Sequence, residues 1–209
     1  MNKEDLFIIN VGRQLGSGGH IIGRQLAKDF NIRFYDKELL DLAAQESGFN
    51  KKFFERNDEH KGFFKLLLSS FAPIFSNSEN IYNNQLSDES LFKFQSDAIR
   101  KAASQESCVF VGRCADYILR DNPRCVNIFI TGDMEDRIQR VSERLNISPA
   151  EAEKKILSGD ENRASYYNYY SAKTWGQADS YHLCINSSIL GLEDTTEFIK
   201  EFIKKKLNL

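Results

Sequence analysis

Phe7-Ile8-Ile9-Asn10-Val11-Gly12-Arg13-Gln14-Leu15-Gly16-Ser17-Gly18-Gly19-His20 is the stretch that decides how this chain folds. Phe7 to Val11 has the short, β-rich pattern of a buried strand, and beyond His20 the residues Ile22, Leu26, Ala27 and Phe30 recur at helical spacing. A glycine-rich turn between a strand and a helix gathers unpaired backbone N–H groups at the positive end of the helix macrodipole, so it forms an anion site from main chain alone. The residues facing such an anion are Gly12, Gly16, Ser17, Gly18, Gly19 and His20. A nucleotide phosphate is the natural guest. The common loop G-x-x-x-x-G-K-[ST] ends in a lysine for the β/γ-phosphates and a hydroxyl for magnesium. Here those two positions hold Gly19 and His20, or Gly18 and Gly19 when the register is anchored on Gly12. The lysine is missing either way. Arg13 could curl back over bound phosphates and replace it, or pair with a nearby acid and only shape the loop. His20 could donate to a phosphate or cap the turn, and capping is the simpler reading.

Moving outward, further β-rich runs at Ile32 to Tyr35, Val109 to Val111, Val126 to Ile130 and Tyr181 to Ile185 alternate with helical patterns. That alternation predicts an α/β fold, a mostly parallel sheet with helices on both faces, in a single domain spanning residues 1–209. The helices are expected at Glu38 to Glu46, Ser87 to Ala103, Asp133 to Leu145, and Glu193 to Lys206. Another opens at the capping box Ser148-Pro149-Ala150-Glu151. A phenylalanine-rich stretch from about 49 to 86 reads as a helical flap on the main core, or as a substrate-covering arm or homodimer surface. The 28 basic and 30 acidic residues leave a formal charge of −2, which gives no general pull toward nucleic acid or anionic membranes. No secretory leader pattern and no long apolar run stands in the sequence, so a cytoplasmic protein is expected. Cys108, Cys114, Cys125 and Cys184 lack a C-x-x-C pair and read as reduced packing residues.

Several side chains could carry chemistry at the ligand-binding edge of such a sheet. Asp36 ends the second strand, where it could hold magnesium through water, orient a substrate hydroxyl, or cap the next helix. Arg113 follows the third strand and suits a second phosphate. Asp116 could pair with Arg113, approach a metal, or serve as a helix-start acid. Arg137, Arg140 and Arg144 share one helix face, either toward phosphate or in solvated pairs such as Asp136 with Arg140. Asp160 and Arg163 precede Tyr166, Tyr167, Tyr169 and Tyr170, a group able to grip a base and phosphate or to dock the segment on the core.

With these blocks in hand, the chain resembles the cytidylate kinase-like family of P-loop kinases. Gly12 to Gly19, Phe34-Tyr35-Asp36-Lys37-Glu38-Leu39, Val111-Gly112-Arg113-Cys114-Ala115-Asp116-Tyr117 and Arg163-Ala164-Ser165-Tyr166-Tyr167 carry the likeness. The resemblance implies strand order 2-3-1-4-5, a substrate-binding insert at about 49–86 and a lid at about 146–178. It implies ATP with Mg²⁺ as phosphoryl donor and a small phosphate-bearing acceptor, CMP-like. In that picture Arg13, Asp36, Arg113 and Arg163 form the catalytic group. Asp36, Arg113, Asp116, Asp160 and Arg163 bind substrate, with Asp160 accepting from the cytosine amine. Arg137 and Arg140 serve the donor side, and no metal is held by protein alone, Asp36 or Asp116 meeting the Mg²⁺. The sequence departs from the family pattern at the absent loop lysine, at Val111 where an acid precedes Gly-Arg, and at Ile156 in place of the first lid arginine. The alternative is a weakly active or inactive nucleotide-binding sensor.

Overall fold

The structure is a computed structural model that describes residues 6–36 and 88–209. The chain divides into two compact units, Met1–Asp36 with Ala103–Leu209, and Lys37–Ala102. In the first unit β1 (Ile8–Arg13) leads through the glycine loop into α1 (Gly19–Asp29) and β2 (Arg33–Tyr35). Helix α2 (Asp88–Gln105) precedes β3 (Cys108–Val111), the short α3 (Ala115–Ile118) and β4 (Cys125–Thr131). There follow α4 (Met134–Leu145), α5 (Pro149–Ser171), β5 (Leu183–Asn186) and α6 (Ser187–Leu207). The five strands form one sheet in the order β2-β3-β1-β4-β5, and every neighbouring pair is parallel. Of the second unit, the described part is the start of α2, where Ala98, Ile99 and Ala102 are buried and Arg100 pairs with Asp97 at 3.4 Å.

Alternation along each strand sorts the side chains between two faces. Ile9 and Val11 share one face with Val109, Val111, Val126, Ile128 and Ile130, and all pack with Ile22 and Leu26 of α1 and Ile199 and Ile203 of α6. Full burial of each such side chain contributes roughly 1.5–3 kcal/mol. On the other face a Cβ at Gly12 would meet Phe129 at 2.7 Å, and that ring packs against Trp175 at 5.1 Å and Tyr181 at 4.9 Å. The sheet is thus flanked by helices and its central strand, β1, delivers Arg13 and the loop to the carboxyl edge.

Three details differ from the sequence reading. The closing helix begins at Ser187, where Asn186 accepts from Ser188 N at 2.9 Å, because Gly191 (φ 74°, ψ 175°) interrupts the turn and hides the early part of the periodicity. Cys184 is exposed while Cys108, Cys114 and Cys125 are buried, since β5 is the outermost strand. The third is the strand itself, which starts at Leu183 because Tyr181 is drawn into the aromatic group around Phe129. The capping box at Ser148 is present, with Ser148 N donating to Glu151 Oε2 at 3.0 Å and Glu151 N to Ser148 Oγ at 3.4 Å. The phenylalanine-rich stretch 49–86, the dimer surface assigned to it and the helix Glu38 to Glu46 lie outside the described residues.

Candidate functional site

The loop between β1 and α1 has its carbonyl oxygens committed one by one. Gln14 O accepts from Ser17 Oγ at 2.9 Å, Leu15 O from Arg137 Nε at 2.8 Å, Gly16 O from Arg140 at 3.1 Å and Ser17 O from Ser187 Oγ at 2.7 Å. Gly18 O enters the first helical bond, from Ile22 N at 3.0 Å. Left-handed backbone at Gly16 (φ 83°) and Gly18 (φ 78°) makes the turn, a conformation glycine reaches at no steric cost. Helix α1 then starts with no side-chain cap and no acid in its first turn. Its N-terminal N–H groups and dipole are consequently offered to an anion that the protein does not itself supply.

Arg13 explains the missing lysine. A Cβ built at Gly19, the lysine position, would lie 2.5 Å from Arg13 Cβ and 3.0 Å from its Cγ. The Arg13 stem therefore occupies the space in which a side chain at 19 would begin. Its guanidinium continues to Gly112, whose absent Cβ leaves room for it. There it feels Arg163 and Arg113 as like charges and Asp36 and Asp160 as opposite ones. Burial, then those two arginines, lower its pKa from the ordinary guanidinium value to about 10, so it stays charged at neutral pH. Burial also lowers Arg163, while the neighbouring Asp160 raises it. Like-charged guanidinium groups gathered this closely suit an anionic guest.

Helices α4 and α5 fasten the loop from one side. Val141, Ala152 and Ile156 are fully buried in a small apolar cluster that also takes Leu15, Met134, Ile138 and Ile147. Ile156, where the family pattern has a lid arginine, is thus a core position in this chain. Asp160 Oδ1 accepts from Leu15 N at 2.7 Å and from Arg163 at 3.2 Å, and Asp160 Oδ2 pairs with Arg137. Arg137 is buried and braces the loop through Leu15 O and Asp160. Asp160 thus holds the loop, accepting from Leu15 N, Arg163 and Arg137. Arg140 reaches Gly16 O and Asp136, the latter at 3.7 Å, and Arg144 is exposed.

Just beyond β3, Gly112, Arg113 and Cys114 all have positive φ (82°, 58°, 54°), a costly run for the two non-glycine residues and one that turns Arg113 sharply out of the strand. Its guanidinium lies 5.2 Å from the centre of the Tyr166 ring. Neighbouring Tyr167 donates to Asp116 at 2.7 Å, and burial raises the Asp116 pKa. Asp116 is therefore an acid in the first turn of α3 held by Tyr167. His20 does not cap the turn. Its Nε2 lies 3.2 Å from Asp36 Oδ2, and its ring meets Phe34 edge to face at 5.3 Å. Leu15 and Ser187 hold the loop from positions the sequence did not single out, whereas Tyr166 lies in the tyrosine run it did. The first two look like ordinary packing residues in sequence, and only the Tyr166-Tyr167 pair had any local signal.

Comparison with known proteins agrees with this fold. The model of the cytidylate kinase-like family matches residues 8–189. The fold is shared with an uncharacterized protein of Eubacterium ventriosum at 30% identity and TM-score 0.72, covering 95% of this chain and 98% of that one. A shikimate kinase from Bacteroides thetaiotaomicron (13% identity, TM-score 0.53, 95% and 98% covered) has the same fold. So does a gluconokinase from Sinorhizobium meliloti (11%, 0.53, 97% and 94%). No protein of curated function matches the sequence. Among the described residues no helix is long and apolar enough to cross a membrane.

Proposed function

The chain belongs to the cytidylate kinase-like family, and from that premise we propose that it transfers the γ-phosphoryl group of ATP to a small anionic acceptor, CMP-like monophosphates being the first to test. The observation that carries this reading is the exchange of Arg13 for the loop lysine: its stem fills the space beside Gly19 and its charge lies among Arg113, Arg163 and Asp36. Gly16 to Gly19 and the uncapped start of α1 receive the donor phosphates. Arg113, steadied by Tyr166, holds an acidic group of the acceptor. Arg13 and Arg163 lie between the two and stabilise charge on the group in flight. Phosphoryl transfer demands little covalent chemistry of the protein, so this positioning is most of the catalysis.

Mg²⁺ would arrive with the nucleotide and neutralise charge on its phosphates. Asp36 is the carboxylate placed to meet it through water, since His20 stands where a loop hydroxyl would be and the Ser17 hydroxyl is spent on Gln14 O. The test is a ³¹P NMR assay with Mg-ATP and CMP, dCMP, UMP, AMP and GMP. Arg13→Ala and Arg113→Ala should each lower turnover by about 10²–10³-fold. ATP line-broadening without turnover of any acceptor would favour a nucleotide-binding module instead.

A further inference from the structure

The turn that presents Arg113 is held by a helix distant in sequence. Arg113 (φ 58°) and Cys114 (φ 54°) are successive left-handed residues that both carry side chains, a conformation that persists only where the surroundings impose it. The main chain of the turn supplies Ala115 N to Gly112 O at 3.3 Å and Tyr117 N to Cys114 O at 3.0 Å, bonds that any short helix start can make. The further hold comes from α5. Buried Tyr167 donates its hydroxyl to Asp116 Oδ2, and the same carboxylate faces the N–H groups of Asp116 and Tyr117. The first turn of α3, directly after Cys114, is thereby tied to a residue 51 positions away. Tyr166, the neighbouring residue on α5, lies under the Arg113 guanidinium. One helix therefore grips the same arginine twice, its backbone through Tyr167 and Asp116 and its head through Tyr166. Tyr181 stacks on Tyr167 at 6.4 Å and packs in turn on Phe129 at 4.9 Å, which fixes Tyr167 to the sheet as well as to α5.

We infer that Asp116 and Tyr167 are positioning residues for Arg113: their hydrogen bond holds the left-handed turn in the geometry that sets the guanidinium beside Tyr166, where it meets an acidic group of the acceptor. This rests on the acceptor role given to Arg113 above. Neither residue touches the acceptor. What Asp116 supplies is an accepting oxygen rather than its charge, which separates this role from that of a carboxylate binding substrate or Mg²⁺. Without the bond, Arg113 and Cys114 relax toward ordinary negative φ and the guanidinium leaves the Tyr166 ring. The glycine loop, braced by Arg137, Asp160 and Ser187, keeps its shape. Loss of the bond therefore separates acceptor binding from donor binding.

The test uses the full chain with Cys184→Ser, which removes the exposed thiol. Tyr167→Phe deletes the hydroxyl and keeps the ring, Asp116→Ala deletes the accepting group, and Asp116→Asn keeps an accepting oxygen without the charge. Iodoacetamide labelling of buried Cys114, located by peptide mass, reports opening of the turn, and buried Cys108 and Cys125 in β3 and β4 report opening of the whole domain. CMP and ATP binding are measured by titration calorimetry. Tyr167→Phe and Asp116→Ala should speed Cys114 labelling and weaken CMP binding by about tenfold or more, the loss of one hydrogen bond to a charged group, with Cys108, Cys125 and ATP affinity within about twofold of wild type. Asp116→Asn should stay within about threefold of wild type in every readout, because its amide oxygen still accepts from Tyr167. Unchanged Cys114 labelling in both disruptive variants overturns the inference. So does equal acceleration of all three thiols, equal loss of ATP and CMP, or an Asp116→Asn variant as impaired as Asp116→Ala. If the wild-type protein binds no CMP while Cys114 labelling follows the expected pattern, the CMP-like acceptor reading falls and the hold on the turn stands.

Discussion

Gly19→Ala is the substitution that tests most directly whether Arg13 has displaced the loop lysine. Gly19 has no positive φ, so its backbone would accept alanine; the obstacle is steric alone. The new Cβ would stand 2.5 Å from Arg13 Cβ and 3.0 Å from Cγ, while its third neighbour, Ile130 Cβ at 3.6 Å, is an ordinary contact. Carbon atoms prefer about 3.5–4.0 Å, so the overlap is roughly 1.0–1.5 Å. Arg13 has little freedom to yield: its backbone is paired opposite Ile130 in β4, and its guanidinium is lodged at Gly112. Overpacking of this kind costs about 1–3 kcal/mol. In a chain of this size that lowers Tm by about 2–4 °C per kcal/mol. In an Arg13→Gly background the obstruction is gone and alanine regains up to about 1 kcal/mol of helix propensity. The double-mutant cycle, read by urea denaturation, should therefore give a coupling of about 1–4 kcal/mol with a change of sign in the effect of Gly19→Ala. Equal cost in both backgrounds, or no cost with Arg13 present, would refute the shared-volume argument. A Gly19→Lys/Arg13→Gly variant should also bind ATP more tightly than Arg13→Gly alone.

Ile156→Arg, which would bring the sequence closer to the family pattern, should instead cost about 3–5 kcal/mol in urea denaturation by burying an unpaired charge, whereas Ile156→Val should cost no more than about 1.5. Asp160→Ala leaves the buried Arg137 without its carboxylate and should lower stability by about 3 kcal/mol or more; Arg163→Ala, at the half-buried end of the same network, should cost less. His182 Nδ1 accepts from Asn127 N at 2.8 Å, and burial, with Lys206 adding to it, lowers its pKa below the ordinary 6.5. The unfolded chain therefore binds the extra proton first, so this contribution is intact above pH 6.5 and is lost as pH falls toward the folded pKa. Denaturation midpoints at pH 8 and 5 should differ more in wild type than in His182→Gln.

Much of the fold could be read because local and long-range signals agree in it: apolar strand runs, the glycine loop and the Ser148 box each mean the same thing in sequence as in space. The strand order came from resemblance, not from pattern. The site was only partly legible. Arg13 and Arg113 could be singled out because charged residues at strand ends have few other uses. The contacts of Asp160 and Asp116 were not legible, because a carboxylate looks the same whether it faces a base, a loop amide or a tyrosine, and the choice depends on residues far apart in sequence. Leu15 was invisible for the opposite reason, as nothing distinguishes a leucine that fills a cluster between α4 and α5 from one that merely fills a loop.

Helix α5 touches the glycine loop through Asp160 and the start of α3 through Tyr167. Seven residues are close to two whole turns, so both contacts leave the helix in nearly the same direction, about 10 Å apart along its axis. The helix thus works as a gauge block between the glycine loop and the start of α3. One residue inserted between 160 and 167 would swing Tyr167 by about 100° and disconnect one end from the other. Insertions in the turn between α4 and α5 would disturb Ile147 and the Ser148 cap but leave the spacing from 160 to 167 untouched. Length variation among relatives of this chain should therefore fall outside that heptad, whatever the acceptor each one serves.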